Sequence, residues 1–240
     1  MNPYIQIIRA DHWFKNVFMV PGFILALIFT RTTFSDGIVP TLIAVLSTCL
    51  VASANYVINE WLDAEYDRHH PVKRNRPSAV GKVKARYVYL EYFLLIVGGL
   101  LLASLLTLNF VIFSVILLVM GVIYNVRPMR FKDRVYLDVL SESINNPLRL
   151  LLGWSALVPD AMPPSSILIA YWMGGAFLMG VKRYAEYRFI GDPEQAGMYR
   201  LSFRHYTEEK LLLMSFFYAL TAAFFLGIFL IKYRIEMVLS

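Results

Sequence analysis

The sequence predicts an all-α fold: a polytopic bundle of helices that crosses a membrane several times. Hydrophobic residues make up 58% of the 240 residues and charged residues only 17%, whereas soluble domains carry about 25% charged residues. The apolar residues form long runs with no extensive polar region between them. The sequence therefore predicts one membrane-embedded domain, residues 1–240.

Seven apolar runs are of membrane length or nearly so, because a helix needs roughly 17–25 mostly apolar residues to span a bilayer. The pattern thus indicates about seven spans. The runs comprise residues 17–31, 39–58, 88–106, 110–126, 136–158, 165–181 and 211–231.

The basic residues favour alternate connections. Nineteen of the 23 Lys and Arg residues lie before the first run or in the connections after the second, fourth and sixth runs. By the positive-inside rule these segments face the cytoplasm, together with the N-terminus. We expect the loops to contact anionic membrane lipids, in the inner membrane of a bacterium or an archaeon.

Several classes of function are disfavoured. Cys49 is the single cysteine, which excludes a disulfide within the chain and a cysteine-based metal site. Arg9 and Asp11 interrupt any apolar stretch of a secretory signal peptide. The basic charge adjoins apolar runs, so no nucleic acid is expected as a partner. His69 and His70 lack partners at zinc-ligand spacing, and a capping or solvated role is expected.

The first candidate site lies where the second run ends. Asn59, Asp63 and Asp67 recur at i, i+4 and i+8, which places them on one face of a helix. Neighbouring carboxylates repel each other unless a cation lies between them, and Mg²⁺ takes such oxygen ligands together with substrate phosphates. The alternative is a solvated helix end followed by a basic loop. Cations that suit phosphate oxygens follow within ten residues of Asp67; they include Lys73, Arg74 and Arg76.

Further polar residues interrupt the later runs. Ionisable groups inside a bilayer normally face a water-filled cavity or one another, so the fifth run predicts a central cavity that opens to the cytoplasmic side. The alternative is pairing of Glu142 with Arg149, or of Asp138 with an arginine, that holds helices together. The candidate cavity residues are Asp138, Glu142, Asn145 or Asn146, Arg149, Tyr184 and Glu186, and the further candidate phosphate-binding residues are Lys15, Lys182 and Arg183.

The segment 59–77 resembles the first aspartate-rich motif of the UbiA prenyltransferase superfamily. It reads Asn-xxx-Asp-xxx-Asp followed by Arg-His-His-Pro-Val-Lys-Arg-Asn-Arg-Pro. The resemblance extends from about residue 9 to the C-terminus. It implies a membrane helix bundle around a central cavity, in which Mg²⁺ handles a polyprenyl diphosphate or a related substrate. It also implies that Asn59, Asp63 and Asp67 are catalytic residues that hold the metal. Members commonly have nine spans, so we expect these seven to belong to a longer bundle.

Two branches of the superfamily stay open. The segments 12–16, 70–74 and 182–186 look like the decaprenyl-phosphate phosphoribosyltransferase branch, whereas the segment 124–132 is similar to a loop of prenyl-transferring members. Those members usually carry repeated aspartates after the sixth span. Here Glu186 and Asp192 are spaced differently, and Glu60 replaces the Asp that usually follows the motif's Asn.

We favour transfer of a 5-phosphoribosyl group from phosphoribosyl diphosphate to a polyprenyl phosphate. The first alternative is prenyl transfer from a polyprenyl diphosphate to an aromatic or other small acceptor. In either case the expected partners are a polyprenyl lipid and a phosphorylated or aromatic co-substrate. The second alternative is a non-enzymatic transporter or lipid-binding membrane protein, which predicts polar stripes that reach both membrane faces.

Overall fold

All regular secondary structure in the described part of the chain is helical, as the sequence predicts. The structure, a computed structural model, describes residues 2–30 and 34–233. Arg31 and the expected start of an eighth span near Leu239 lie outside these residues. The α-helices are α1 (Pro3–Ile8), α2 (Val20–Thr30), α3 (Phe34–Leu62), α4 (Ala64–Asp67), α5 (Ala85–Ala103), α6 (Leu108–Asn125), α7 (Leu137–Ser143), α8 (Asn145–Ser155), α9 (Ser165–Ile190), α10 (Pro193–Tyr199) and α11 (Glu208–Tyr233). Short 3₁₀ helices cover Ala10–Met19, Lys73–Asn75, Phe131–Asp133 and Leu201–Arg204.

Six stretches of the described chain are long and apolar enough to cross a membrane. Each has at least 18 residues, which cover about 27 Å of bilayer at the rise of an α-helix. Large apolar side chains such as Leu213, Phe217 and Phe224 of α11 point outward and are more than 60% exposed. The chain is therefore an integral, multi-pass membrane protein. The six stretches are Pro3–Phe29, Gly37–Leu62, Ala85–Ala103, Leu108–Asn125, Ser165–Ile190 and Glu208–Tyr233.

The fifth apolar run differs from the prediction of one continuous span. It forms two short helices, α7 and α8, which are separated at Ile144. Pro147 contributes to the break, because it has no backbone N–H to bond the carbonyl of Ser143. The run is also too polar to face lipid, and residues 146–155 of α8 are all buried. The described bundle therefore has six long apolar stretches and a seventh, broken crossing. The crossing runs to the far end of the bundle, because Thr107 Oγ1, at the start of α6, donates to the carbonyl oxygen of Ser155 at the end of α8 (2.6 Å).

Two glycines bring α8 into backbone contact with the first span. A Cβ atom on Gly153 would lie 2.2 Å from the carbonyl oxygen of Met19, and one on Gly22 would lie 2.1 Å from that of Leu150. Neither position has room for any side chain. This close approach fixes α8, with its polar residues, against the first span.

The connections after α3, α6 and α9 meet at one end of the bundle. Gln195 Nε2 donates a hydrogen bond to the carbonyl oxygen of His69 (3.1 Å). The backbone N–H of Tyr136 donates to Tyr206 Oη (2.7 Å). The three basic loops that the sequence assigns to one side of the membrane therefore contact one another.

Candidate active site

The predicted face of Asn59, Asp63 and Asp67 is formed across the junction of α3 and α4. The backbone N–H of Asp63 bonds the carbonyl of Asn59 (3.0 Å), and that of Asp67 bonds the carbonyl of Asp63 (2.8 Å). Helical spacing therefore persists although the helix assignment is interrupted at Asp63. Asn59 Nδ2 donates to Asp63 Oδ2 (3.2 Å), so these two side chains are in direct contact.

Two cations from the loop after α6 bind the carboxylate of Asp63. Arg130 Nη2 lies 2.9 Å from Asp63 Oδ1, and Lys132 Nζ contacts the same oxygen. Burial raises the pKa of Asp63, but the charge of Lys132, followed by that of Arg130, outweighs burial and holds the pKa below its usual value. Burial also lowers the pKa of Lys132 to about 8, although Asp63 acts in the opposite direction.

The second carboxylate of this face, Asp67, is 2% exposed and pairs with Arg76. Arg76 Nη1 lies 2.7 Å from Asp67 Oδ2. Burial raises the pKa of Asp67 above its usual value, because the charge of Arg76 offsets the loss of hydration only in part. Arg76 is thus brought to the site as predicted, whereas Arg74 is exposed.

Glu186 on α9 is surrounded by donors. Lys73 Nζ binds Glu186 Oε1 and the hydroxyl of Tyr199, and that hydroxyl lies 3.1 Å from the same carboxylate oxygen. Arg183 Nη1 lies 3.7 Å from Glu186 Oε2. Burial lowers the pKa of Lys73, and the opposing effect of Glu186 is smaller. The cluster of Lys73, Arg183, Glu186 and Tyr199 therefore presents a carboxylate whose charge is neutralised by cations.

His70 fixes the loop that carries Lys73. Its Nδ1 accepts hydrogen bonds from the backbone N–H groups of Val72 and Lys73, both at 3.1 Å. Its Nε2 lies 3.5 Å from Glu186 Oε1. The predicted capping role is therefore present at His70, while His69 is exposed.

The two acidic residues of the broken segment, Asp138 and Glu142, pair with cations of α9. Arg183, fully buried, lies 3.3 Å from Asp138 Oδ2 and also contacts Glu142. Lys182 Nζ lies 3.1 Å from Glu142 Oε1. Arg149 instead donates to Asn16 Oδ1 (2.9 Å). Of the two pairings named as the alternative to cavity lining, Glu142 with Arg149 does not form, whereas Asp138 with an arginine does.

The other predicted residues lie at the margin of this group. Asn146 is buried against Gly175, where a Cβ atom would lie 2.1 Å from its Nδ2. Lys15 Nζ lies 3.3 Å from His12 Nδ1. Tyr184 accepts a hydrogen bond from Arg188 Nη1 (3.2 Å), on a different face of α9 from Arg183 and Glu186. The structure therefore does not bring Tyr184 to the cluster.

Several site residues are missing from the sequence-based prediction. Arg130 and Lys132 belong to the segment 124–132, whose family likeness was a usable signal. Tyr199 and Arg200 follow no spacing pattern. Arg200 lies beside Tyr124, with Nη1 3.4 Å from Tyr124 Oη, and tertiary folding alone places it there.

The oxygen donors of Asn59, Asp63 and Asp67 suit Mg²⁺, which would displace cations now bound to the two carboxylates. Asn59, Asp63 and Asp67 carry oxygen atoms on one helix face, and the buried carboxylate of Asp67 has a single cationic partner among the described residues, Arg76. Among residues 2–30 and 34–233 no group of three His, Cys, Asp or Glu side chains is arranged to hold a metal. Mg²⁺ usually needs only one or two carboxylates when substrate phosphates and water complete its shell.

Long apolar helices and a buried group of carboxylates and cations at one end define a polytopic membrane protein with a charged candidate site at that end. The chain belongs to the UbiA prenyltransferase family, whose model matches residues 18–238. The family resemblance of the sequence is thereby confirmed.

Relatives represent both branches that the sequence resembles. The decaprenyl-phosphate phosphoribosyltransferase of Mycolicibacterium smegmatis is 29% identical over 209 residues, which cover 86% of this chain and 63% of that protein. The protoheme IX farnesyltransferase of Oceanobacillus iheyensis is 27% identical over 182 residues, which cover 72% of this chain and 56% of that protein. The chain thus spans less than two thirds of the length of these relatives.

A solved structure shares the fold. The UbiA homologue of Archaeoglobus fulgidus bound to GPP and Mg²⁺ matches with a TM-score of 0.77 at 17% identity, over 96% of this chain and 78% of that chain. This similarity confirms the predicted all-α membrane helix bundle.

Proposed function

We propose that this chain is a Mg²⁺-dependent transferase that moves a 5-phosphoribosyl group from phosphoribosyl diphosphate to a polyprenyl phosphate. One observation carries the choice of reaction: Glu186 is already bound by Lys73 and Arg183. The group around Glu186 has four cations, Lys73, Lys182, Arg183 and Arg200, against three carboxylates, Asp138, Glu142 and Glu186. All three carboxylates are paired, so the group does not offer a second free pair of carboxylates for metal. A sugar donor with phosphate groups at both ends suits this group of cations better than an uncharged aromatic acceptor does.

Asn59, Asp63 and Asp67 would hold the metal. When bound, Mg²⁺ neutralises charge on the departing diphosphate. Arg76, Arg130 and Lys132 already lie at these carboxylates. Their N–H groups are placed to bind diphosphate oxygens beside the metal, since guanidinium and ammonium groups form strong charge-assisted hydrogen bonds with phosphate.

The reaction needs little acid–base chemistry from the protein. An oxygen of the lipid phosphate forms a bond to C1 of the ribose, while the bond from C1 to the diphosphate oxygen breaks and its electron pair leaves with the diphosphate. Because the attacking phosphate oxygen is already ionised, no general base is required. The fixed, buried cations of the site would therefore act by positioning and by electrostatic stabilisation.

Prenyl transfer is the second candidate. The farnesyltransferase relatives and the prenyl-transferase likeness of segment 124–132 favour it. In this reaction the same helix face would bind the diphosphate of a polyprenyl donor, and an aromatic or other small acceptor would attack its first carbon. For either reaction we propose that the N-terminus and the three basic loops face the cytoplasm, as their charge indicates.

Purified protein in lipid bilayers with Mg²⁺ tests the proposal in two arms. One arm supplies phosphoribosyl diphosphate labelled in the ribose and a polyprenyl phosphate; the other supplies a labelled polyprenyl diphosphate and an aromatic acceptor. Labelled lipid product in the first arm alone is the expected result. Product in the second arm alone would assign prenyl transfer. Product in neither arm, from protein with a cooperative thermal transition, would favour the non-enzymatic alternative.

A further inference from the structure

Arg200 occupies an unusual position among the cations of the site. The backbone changes from helical to extended at Arg200, with φ −140° and ψ 116°, where α10 ends. The side chain lies near the rings of Tyr199 and Phe203, whose centroids are 5.7 and 5.8 Å from its Cζ atom. Its Nη1 lies 3.4 Å from the hydroxyl of Tyr124, and its buried Nε has no hydrogen-bond partner among the described residues.

The neighbouring cations differ from Arg200 in this respect. Arg183, Lys73 and Lys132 each bind a carboxylate, those of Asp138, Glu186 and Asp63 respectively. Arg200 forms no ion pair with a carboxylate of the described residues, and its hydrogen-bond acceptor among them is the neutral phenol of Tyr124. Buried polar groups nearly always have a partner, so the partner of Arg200 is expected to come from outside the chain.

Arg200 also lies near the aspartate-bearing face: the ring centroid of Tyr124, whose hydroxyl Arg200 contacts, is 5.8 Å from Nζ of Lys132. The positive charge of Arg200 acts on Asp63 and Lys132, where it contributes to lowering both pKa values. The carboxylate of Asp63 is nevertheless taken by Arg130 and Lys132. A ligand that binds Arg200 can therefore reach the aspartate-bearing face with its other end.

We propose that Arg200 binds a phosphate monoester of a substrate, distinct from the diphosphate that binds at Asp63 and Asp67. A guanidinium offers two parallel N–H donors to phosphate oxygens, and the unpaired Nε is one such donor. The substrate class rests on the proposed function. Two substrate groups are phosphate monoesters of this kind: the 5-phosphate of the sugar donor and the phosphate of the polyprenyl acceptor.

Equilibrium binding to detergent-purified protein in the presence of EDTA separates these sources without turnover. The probes are ribose 5-phosphate and geranyl phosphate, titrated against wild type, R200M and R204M. Arg204 lies in the same loop and is exposed, so R204M is the matched control. R200M should weaken the binding of one probe at least about tenfold, while R204M should bind both as wild type does.

The binding measurements test the role of Arg200, and turnover by wild type tests the proposed reaction separately. Unchanged affinity of R200M for both probes, or no binding of either probe by wild type, would overturn the proposal. If R200M does not fold, R200K carries the test: loss of the forked donors should weaken binding severalfold, and unchanged affinity would again overturn it. Turnover by wild type with unchanged R200M binding rejects the role of Arg200 alone. Loss of binding in R200M without turnover by wild type rejects the assigned reaction alone.

Discussion

Lys132 binds the carboxylate of Asp63 although 69 positions separate the two residues in the sequence. The pair connects the loop after α6 to the end of α3, at the carboxylate that is proposed to hold the metal. Lys132 Nζ also donates to Asn125 Oδ1 (2.7 Å). An ammonium group held in this way competes with a metal ion for Asp63.

Replacement of Lys132 by Met should strengthen metal binding and weaken catalysis. Loss of the ammonium removes a charge-assisted bond that the metal must otherwise displace, so affinity for Mn²⁺ as a Mg²⁺ substitute should rise about tenfold. Transfer activity should fall, because a cation beside the diphosphate is gone. Electron paramagnetic resonance measures free Mn²⁺ directly. Lys82→Met, an exposed lysine, is the control, and unchanged Mn²⁺ affinity in Lys132→Met would contradict the competition.

Asp63→Asn and Asp67→Asn should each reduce transfer by orders of magnitude while the protein stays inserted in the membrane. Each change removes a negative charge from the face that is proposed to hold Mg²⁺ and leaves the side-chain volume nearly unchanged. The measurement is initial rate against Mg²⁺ concentration in bilayers. Glu65→Gln is the matched control, because Glu65 lies on α4 between the two aspartates and is exposed. Wild-type transfer rates in both aspartate variants would contradict the proposed Mg²⁺ site.

The pH dependence of substrate binding should report on Lys73. Burial lowers its pKa below the usual value for lysine, so the ammonium loses its charge at a lower pH than a free lysine does. Above that pKa, Glu186 is left with less neutralisation, and the KM for the phosphorylated substrate should rise. Lys73→Arg should move this rise to higher pH, because guanidinium stays charged.

Profiles of KM between pH 6 and 10 for wild type, Lys73→Arg and the exposed control Lys82→Arg measure this effect. A rise in KM at the same pH in wild type and in Lys73→Arg would assign the titration to another group.

The sequence specifies the helix bundle and the aspartate-bearing face well, and it specifies the opposite wall poorly. Membrane spans and the i, i+4, i+8 spacing of Asn59, Asp63 and Asp67 are local properties, because apolar length and helical periodicity are read within one segment. The contacts of Lys132 with Asp63 and of Lys73 with Glu186 join residues 69 and 113 positions apart. Such pairs depend on how helices pack, so no spacing rule in a single sequence predicts them.

The same reason explains the fifth run. Its polar residues correctly indicate that it avoids lipid, but the sequence does not give their partners. Arg183 of α9 pairs with Glu142, whereas the alternative that the sequence left open paired Glu142 with Arg149. The break at Ile144 follows from Pro147 in retrospect, yet proline also occurs inside α3, at Pro40, without ending that helix.

Asp138→Asn should destabilise the loop end of the bundle. Asp138 is fully buried and accepts from Arg183 Nε (3.3 Å), Ser202 Oγ (3.0 Å) and Tyr206 Oη (2.7 Å). Removal of its charge leaves part of the charge of Arg183 uncompensated in the interior, which costs about 3 kcal/mol. Thermal unfolding in detergent should show a lower midpoint for this variant than for Asp160→Asn, an exposed control. Equal thermal midpoints would show that Glu142 and Glu186 suffice to neutralise the charge of Arg183.

Gly153→Ala should disrupt the contact of α8 with the first span. The added Cβ would lie 2.2 Å from the carbonyl oxygen of Met19, and backbone atoms cannot move aside as a flexible side chain can. We expect a loss of stability of at least about 1–3 kcal/mol, the usual cost of overpacking. Gly174→Ala on α9 is the control, because nothing lies within 4 Å of its added Cβ, and the better helix propensity of Ala favours it by about 1 kcal/mol. Thermal midpoints of the two variants should therefore move in opposite directions from wild type. Because α8 also carries Arg149 and Asn146, Gly153→Ala should reduce transfer activity even at temperatures where the protein is folded. A variant with a lower thermal midpoint but the full transfer rate when folded would show that the contact serves stability alone.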